Sequence, residues 1–460
     1  MRNHRSFFTS WSARAFFTIF LIALLLCGCA PIAQEQIVHV AGPPVESYPA
    51  DVSLAWCKLL LRLVQITPGF SPPVAARAMG YTGVTLYEAL APGMTGYRSL
   101  AGLLNELPPT PAPEAGTIYH WPTVANSSLA AIMRHLFPAI TPDAQVEINA
   151  LEQRLASQLR AETTPDVYER SVARGRAVAG AIFEWSKSDG GHEGYLHNFD
   201  SVYQPAGSPG AWQPTPPRFA PPMQPHWGQA RPFLLQPGQE CIAPPPPAYS
   251  TDPDSQFYRE GREVYDIVRR ATPEQREIAQ FWSDDPGLTP TPPGHSLSIG
   301  LQVLQRSNKD LAFAAELFAR LGIALADSFI ACWETKYTHN LLRPITYIQQ
   351  VIDPYWNTPQ VTDPVVTPPF PEYTSGHSVE ARAAAEVLTQ MFGDNYRFTD
   401  VSVVDRGLAP RTFDSFYAYA AEAAISRLYG GIHFRSAIKE GLLQGACVGR
   451  RVMDLSLRTP

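Results

Sequence analysis

A mainly α-helical fold is what this sequence predicts, and three observations carry it. Apolar residues recur at helical spacing over residues 52–65, 74–90 and 376–392, and along an Ala-, Leu- and Phe-rich run toward Trp333. Three helix starts are spelled out as hydroxyl, proline, acid: Thr141-Pro142-Asp143, Thr164-Pro165-Asp166 and Thr272-Pro273-Glu274. Period-2 alternation is scarce, and neither a strand–helix–strand rhythm nor an internal repeat is present. With 460 residues, 45% of them hydrophobic, the chain is long enough to build a large core.

Taken in order, the N-terminus reads as a targeting segment. Arg2, Arg5 and Arg14 precede an apolar run over 15–26 that is shorter than a membrane span. The run ends in Leu26-Cys27-Gly28-Cys29, which resembles a bacterial lipobox. The expectation is a signal peptide over 1–28, lipid on Cys29, and an exported chain anchored at a bacterial membrane, facing periplasm or exterior; an ordinary secretory signal is the other reading. Residues 29–50 form a linker and 51–200 an N-terminal helical part. The first two helices there are 52–65 and 74–90, the second stopped by Pro92-Gly93. A Pro- and aromatic-rich connector over 201–250, with four successive prolines at 244–247, is either a surface strap or a lid over a pocket. Residues 251–460 form a C-terminal helical part. Within it Gln275 completes a capping box with Thr272, and Asn308 is expected to cap the long helix toward Trp333. Helices at 376–392, 416–425 and 437–455 follow. Cys57, Cys241, Cys332 and Cys447 match no metal motif and fix no pairing. A net charge of -6 and the lack of Lys/Arg runs exclude nucleic acid as the main partner. The chain holds 45 prolines, which implies stiff, irregular connections between helices.

Unusual chemistry gathers in four C-terminal stretches. Lys336 and Arg343-Pro344 put two cations at a helix end and its exit, since Pro344 disfavours helix for the residue before it. In Thr367-Pro-Pro-Phe-Pro-Glu-Tyr-Thr-Ser-Gly-His377, prolines deliver Ser375 and Gly376 to a helix start, where free N–H groups make an anion seat; His377 lies in the first turn. In Ser426-Arg-Leu-Tyr-Gly-Gly-Ile-His433, the glycines turn the chain between Arg427 and His433. The fourth stretch, 281–286, contributes Trp282 and Asp285. Each residue alone is more often a surface charge, a cap or a structural histidine. Together, forked and point cations, a hydroxyl and two imidazoles suit a compact tetrahedral oxyanion.

Lys-x6-Arg-Pro, Ser-Gly-His and Ser-Arg-x5-His, in that order, resemble the vanadium-dependent haloperoxidases and the related type 2 phosphatidic acid phosphatases. The prolines of 368–371 and Trp333, three residues before Lys336, are most like the chloroperoxidase branch. The motif match covers roughly residues 281–449. The resemblance implies a helical bundle holding vanadate, or phosphate in its place. His433 would be the nitrogen ligand of vanadium, while Lys336, Arg343, Ser375, the Gly376 N–H and Arg427 would neutralise the oxygens. His377 would be the acid–base group, supported by Asp285, and Lys336 would polarise bound peroxide. Phe370, Trp333 and Trp282 would shape a halide pocket. The partners implied are hydrogen peroxide and halide, or a phosphomonoester, with a homodimer possible. Two positions depart from the phosphatase signature: Thr374 stands where it has Pro, and Ala437 where it has an Asp that orients the last histidine. Asp414 and Glu422 are the substitutes the sequence offers. Three readings follow: a haloperoxidase making a hypohalous acid equivalent, an exported acid phosphatase with His433 as nucleophile, or an oxyanion-binding lipoprotein without turnover.

Overall fold

The computed structural model describes residues 40–200, 202–204, 207–357 and 365–459; the predicted signal and Cys29 lie outside them. Among the described residues are thirteen α-helices. The first five are α1 (Asp51–Ile66), α2 (Pro72–Leu90), α3 (Trp121–Leu136), α4 (Pro142–Leu159) and α5 (Pro165–Ser186). The remainder are α6 (Gln256–Arg269), α7 (Pro273–Phe281), α8 (Thr291–Ser307), α9 (Leu311–His339), α10 (Pro344–Val351), α11 (Gly376–Phe392), α12 (Phe416–Tyr429) and α13 (Arg435–Met453). One short antiparallel pair, β1 (Phe398–Asp400) and β2 (Arg411–Phe413), sets Asp400 opposite Arg411. None of these helices is long and apolar enough to cross a membrane.

Helix starts follow local chemistry. Thr141 Oγ accepts from the Ala144 N–H, and Thr272 with Gln275 closes a full capping box at α7. Thr164 occupies the cap position of α5 without a side-chain bond to the backbone. One expectation is corrected. Asn308 adopts a left-handed conformation (φ 49°) and ends α8, whereas Asp310 caps α9 by accepting from the Phe313 N–H at 2.8 Å. That long helix continues past Trp333 to His339.

Helix α9 is apolar on nearly every face because several helices pack on it, α2 and α11 most closely. Glycines draw α2 close to α9, and α13 close to α11. A Cβ on Gly83 of α2 would lie 2.2 Å from the Phe318 carbonyl oxygen, and one on Gly445 of α13 would lie 2.1 Å from the Val379 carbonyl oxygen of α11. The start of α11 is therefore packed closely against α13.

The described part of the connector is a packed strap. Asp327 on α9 accepts from the N–H groups of Phe233, Leu234 and Leu235 at 2.7–3.0 Å. Met223 N–H donates to Pro369, while the Met223 carbonyl accepts from Trp333 Nε1 and the Tyr337 hydroxyl. Cys241 and Cys447 form a disulfide that ties the strap to α13, closing a separation of 206 residues; Cys57 and Cys332 are free and buried. Cys447→Ser is expected to lower stability by about 2–5 kcal/mol, as a cross-link over so long a loop restricts the unfolded chain. Denaturant unfolding of oxidised wild type against the variant measures it; coincident curves would show that the bond adds nothing.

Candidate active site

Four chain segments meet at the N-terminus of α11. The loop before it delivers Phe370, Glu372, Thr374 and Ser375; the end of α9 and the entry to α10 bring Lys336 and Arg343; the α12–α13 turn brings Arg427 and His433; the α7–α8 loop brings Asp284. Gly431 allows the tight α12–α13 turn, with φ at 71°. Arg343, Lys336, Glu372 and Ser375 have no exposed surface, and Arg427 and His433 have almost none. His377 keeps 12% of its side chain exposed, so the site reaches solvent on that side.

His433 is held at both nitrogens. Nδ1 lies 2.8 Å from Glu372 Oε1, and Nε2 lies 3.2 Å from Arg343 Nη1. Oε1 also accepts from the Phe434 N–H, so it faces Nδ1 as an acceptor; Nδ1 then carries the proton, which leaves a lone pair on Nε2. Burial, then Arg343, Lys336, Arg427 and His377, hold this imidazole well below its ordinary pKa, so it is neutral. Arg343 donates through Nε to the Phe370 carbonyl and through Nη1 to the Ile432 carbonyl, and its guanidinium lies over the Phe370 ring at 4.8 Å. Arg427 donates through Nη1 to the Trp282 carbonyl at 2.5 Å.

What remains unbonded defines the chemistry. Arg343 Nη2, Arg427 Nε, Ser375 Oγ and His377 Nε2 are buried atoms without a hydrogen-bond partner among the described residues. His377 Nε2 faces the equally unbonded Asp284 Oδ2 at 3.6 Å; the other three are donors on Arg343, Arg427 and Ser375, and unpaired buried donors are costly enough to ask for a ligand rich in oxygen acceptors. Burial also penalises the cations, bringing Arg427 to about 10, Arg343 to about 9 and Lys336 to about 7. A bound tetrahedral anion supplies both the acceptors and the missing negative charge. The donor set therefore fits vanadate or phosphate. Ser375 sits at the cap position of α11 without using its hydroxyl as a cap, and Gly376 opens that helix, where first-turn N–H groups have no helical acceptor.

Several predicted placements change. Lys336 is buried with its three ammonium donors engaged by the carbonyls of Pro371, Glu372 and Thr374 at 3.0, 2.9 and 2.5 Å, so it braces the loop and acts on the site through its charge. Asp284, the neighbour of Asp285, faces His377, with Oδ2 at 3.6 Å from Nε2. Burial works against its ionisation, but His295 and His377 hold it below the usual carboxylate range. Asp285 is half-buried and acts on Arg427 electrostatically. Trp333 and Phe370 pack at 4.8 Å beside Lys336. The Trp282 ring instead stacks on His295 at 4.4 Å and donates to Glu422, reaching the site only through its carbonyl. Glu422 is also paired with Arg411, and Asp414 is an exposed partner of Arg397, so neither orients His433.

Glu372 takes that task. It follows Pro371 inside the motif, yet its meaning depends on a contact 61 residues away in sequence. Burial lifts its carboxyl to about 8, against the pull of Arg343 and Lys336. Glu372→Gln is expected to weaken oxyanion affinity by about 10–100-fold, the usual size for an outer partner of a ligating histidine. Calorimetric titration with vanadate and with phosphate checks this, and unchanged affinity would remove Glu372 from the site.

Comparisons with known proteins show the family and the fold. Residues 316–459 match the family described as the VCPO second helical-bundle domain. The structure described as the first bacterial vanadium-dependent iodoperoxidase superposes with a TM-score of 0.79 at 37% identity, covering 90% of this chain and 98% of that one. A holo-type bacterial vanadium-dependent chloroperoxidase, at 18% identity and a TM-score of 0.64 over 85% of this chain and 92% of that one, shares the fold. The vanadium chloroperoxidase of Curvularia inaequalis is 24% identical over 276 residues, which is 46% of this chain and 45% of that protein. The chain thus matches somewhat under half the length of that relative. By its likeness to the iodoperoxidase over nearly the full length of both, and by an oxyanion cradle around His433, this chain belongs to the vanadium-dependent haloperoxidase family.

Proposed function

We propose that the protein uses hydrogen peroxide to oxidise a halide to a hypohalous acid equivalent, with vanadate held in the cradle around His433. The observation that carries the reading is the set of buried donors without hydrogen-bond partners among the described residues: Arg343 Nη2, Arg427 Nε and Ser375 Oγ. Vanadate bound there supplies Lewis acidity toward peroxide without changing oxidation state. His433 offers Nε2 as the ligand, with Glu372 fixing the proton on Nδ1. Arg343, Arg427, Ser375 and the start of α11 take the oxygens. His377, at the edge open to solvent, accepts a proton from peroxide as it binds and returns one later. Phe370 and Trp333 form an apolar wall on which a large, weakly hydrated halide sits more readily than a small one. Iodide is the halide we assign, supported by the iodoperoxidase likeness and by its ease of oxidation.

The test is iodide-, bromide- and chloride-dependent turnover of full-length protein with vanadate and peroxide. Vanadate-dependent iodide oxidation, inhibited by phosphate, is expected; no halide turnover from protein that binds vanadate stoichiometrically would overturn the assignment. A second reading has its own support. The carboxylate of Glu372 supplies the orienting partner that Ala437 lacks, so His433 is also equipped as the nucleophile of an acid phosphatase. Hydrolysis of a chromogenic phosphomonoester, blocked by vanadate, would favour it.

A further inference from the structure

Behind His377 lies a second, buried ionic cluster that the oxyanion cradle does not use. His295, in the first turn of α8, has its Nδ1 at 2.8 Å from Asp284 Oδ1 and its Nε2 at 2.8 Å from Asp400 Oδ2. All three side chains are at most 2% exposed. A neutral imidazole has one N–H and would aim its lone pair at one of the two carboxylates. A doubly protonated ring donates to both. Asp400 is fixed from its other side by Gln302 Nε2 and the Ser402 N–H, and Trp282 stacks over the ring at 4.4 Å. Other titratable groups around the cluster are His377 and Glu380 on α11 and Arg427 and Tyr419 on α12; Glu380 accepts from Ser296, and burial raises its carboxyl well above its usual range.

The loop that makes this cluster is held in an unusual shape. Asp284 has φ at 51° and Thr291 at 67°. A β-branched residue in the left-handed region is an outlier that the surroundings must enforce. This shape turns Asp284 inward, so that Oδ1 meets His295 while Oδ2 faces His377 Nε2 at 3.6 Å with no closer partner among the described residues.

We propose that His295 is a positioning residue for the acid–base group: clamped as an imidazolium between Asp284 and Asp400, it holds the free Asp284 oxygen against His377 and so sets that ring's orientation. This rests on the reading of His377 as the proton-handling residue. It predicts that disturbing the cluster slows turnover without weakening the oxyanion seat. Full-length His295→Gln and Asp400→Asn serve as probes, the second preserving shape and an acceptor for Nε2 if the first does not fold. Vanadate affinity by calorimetry is expected to stay within about threefold of wild type. Per folded enzyme, kcat for iodide oxidation is expected to fall roughly 10–100-fold with iodide KM unchanged, as for other outer partners of a functional histidine. Nitrogen NMR of histidine-labelled protein without vanadate reads the ring itself, and His295 should show two protonated nitrogens at neutral pH. A lower melting temperature with unchanged kcat, or a singly protonated His295, overturns the proposal. Should wild type oxidise no halide, the functional reading fails separately, and the NMR measurement still decides the state of His295.

Discussion

His433→Ala is expected to abolish vanadate and phosphate binding, with no saturable heat in calorimetric titration at concentrations that fill the wild-type site. The lone pair on Nε2 is a neutral nitrogen ligand held in place between Glu372 and Arg343, beside the cations that would take the anion's oxygens. Arg343, Arg427 and Ser375 can attract oxygens, but they cannot fix where the anion's centre lies. The substitution also leaves Glu372 Oε1 with only the Phe434 N–H for company, deep among cations. A destabilisation of about 1–3 kcal/mol is expected from that loss, small enough for the fold to survive. Circular dichroism at the titration temperature separates the two effects. A folded His433→Ala protein that binds vanadate like wild type would refute the ligand assignment.

The residues legible in the sequence were those whose position follows from local geometry. Arg343 precedes Pro344, Ser375 and Gly376 open a helix after stiff prolines, and the paired glycines set Arg427 against His433. In each case the spacing and the backbone chemistry lie within a dozen residues. Glu372 and Asp400 were not legible, since they meet His433 and His295 across 61 and 105 residues; His295 lies only 11 residues from Asp284, but its clamp is complete only with Asp400. The choice between Asp284 and Asp285 turns on one dihedral, the positive φ of Asp284, which no pattern of residue types announces. Lys336 shows another limit. Its place at the end of α9 was predicted, but whether its ammonium reaches the anion or the carbonyls of Pro371, Glu372 and Thr374 depends on how the loop folds over it. The burial of α9 over much of its surface was likewise visible in its Ala-, Leu- and Phe-rich run, while the strap fixed by Asp327 was not, because irregular chain has no periodicity to read.

His377→Ala is expected to separate binding from turnover in the opposite sense to His433→Ala. The ring lies at the open edge and is not needed to hold an anion already gripped by Arg343, Arg427, Ser375 and His433, so vanadate affinity should change by no more than about tenfold, the low end of outer-partner effects. Halide oxidation should lose about 10²–10⁴-fold in kcat, the usual contribution of a positioned acid–base group. Burial, then Arg427, push the ring down to about 4, with Asp284 pulling the other way. In the anion-free protein it is thus neutral at pH 7 and able to accept a proton. The same shift has a stability signature. Unfolded, the ring takes up a proton below its ordinary 6.5; folded, it does so only near 4. Between those values the unfolded state binds more protons, so wild type loses stability as pH falls through this window, and His377→Ala is spared that part of the loss. The difference between their denaturation midpoints should therefore move in the variant's favour from pH 7 to pH 4. Parallel pH profiles for the two proteins, or a variant with wild-type kcat, would mean that His377 is neither buried as a neutral base nor engaged in proton transfer.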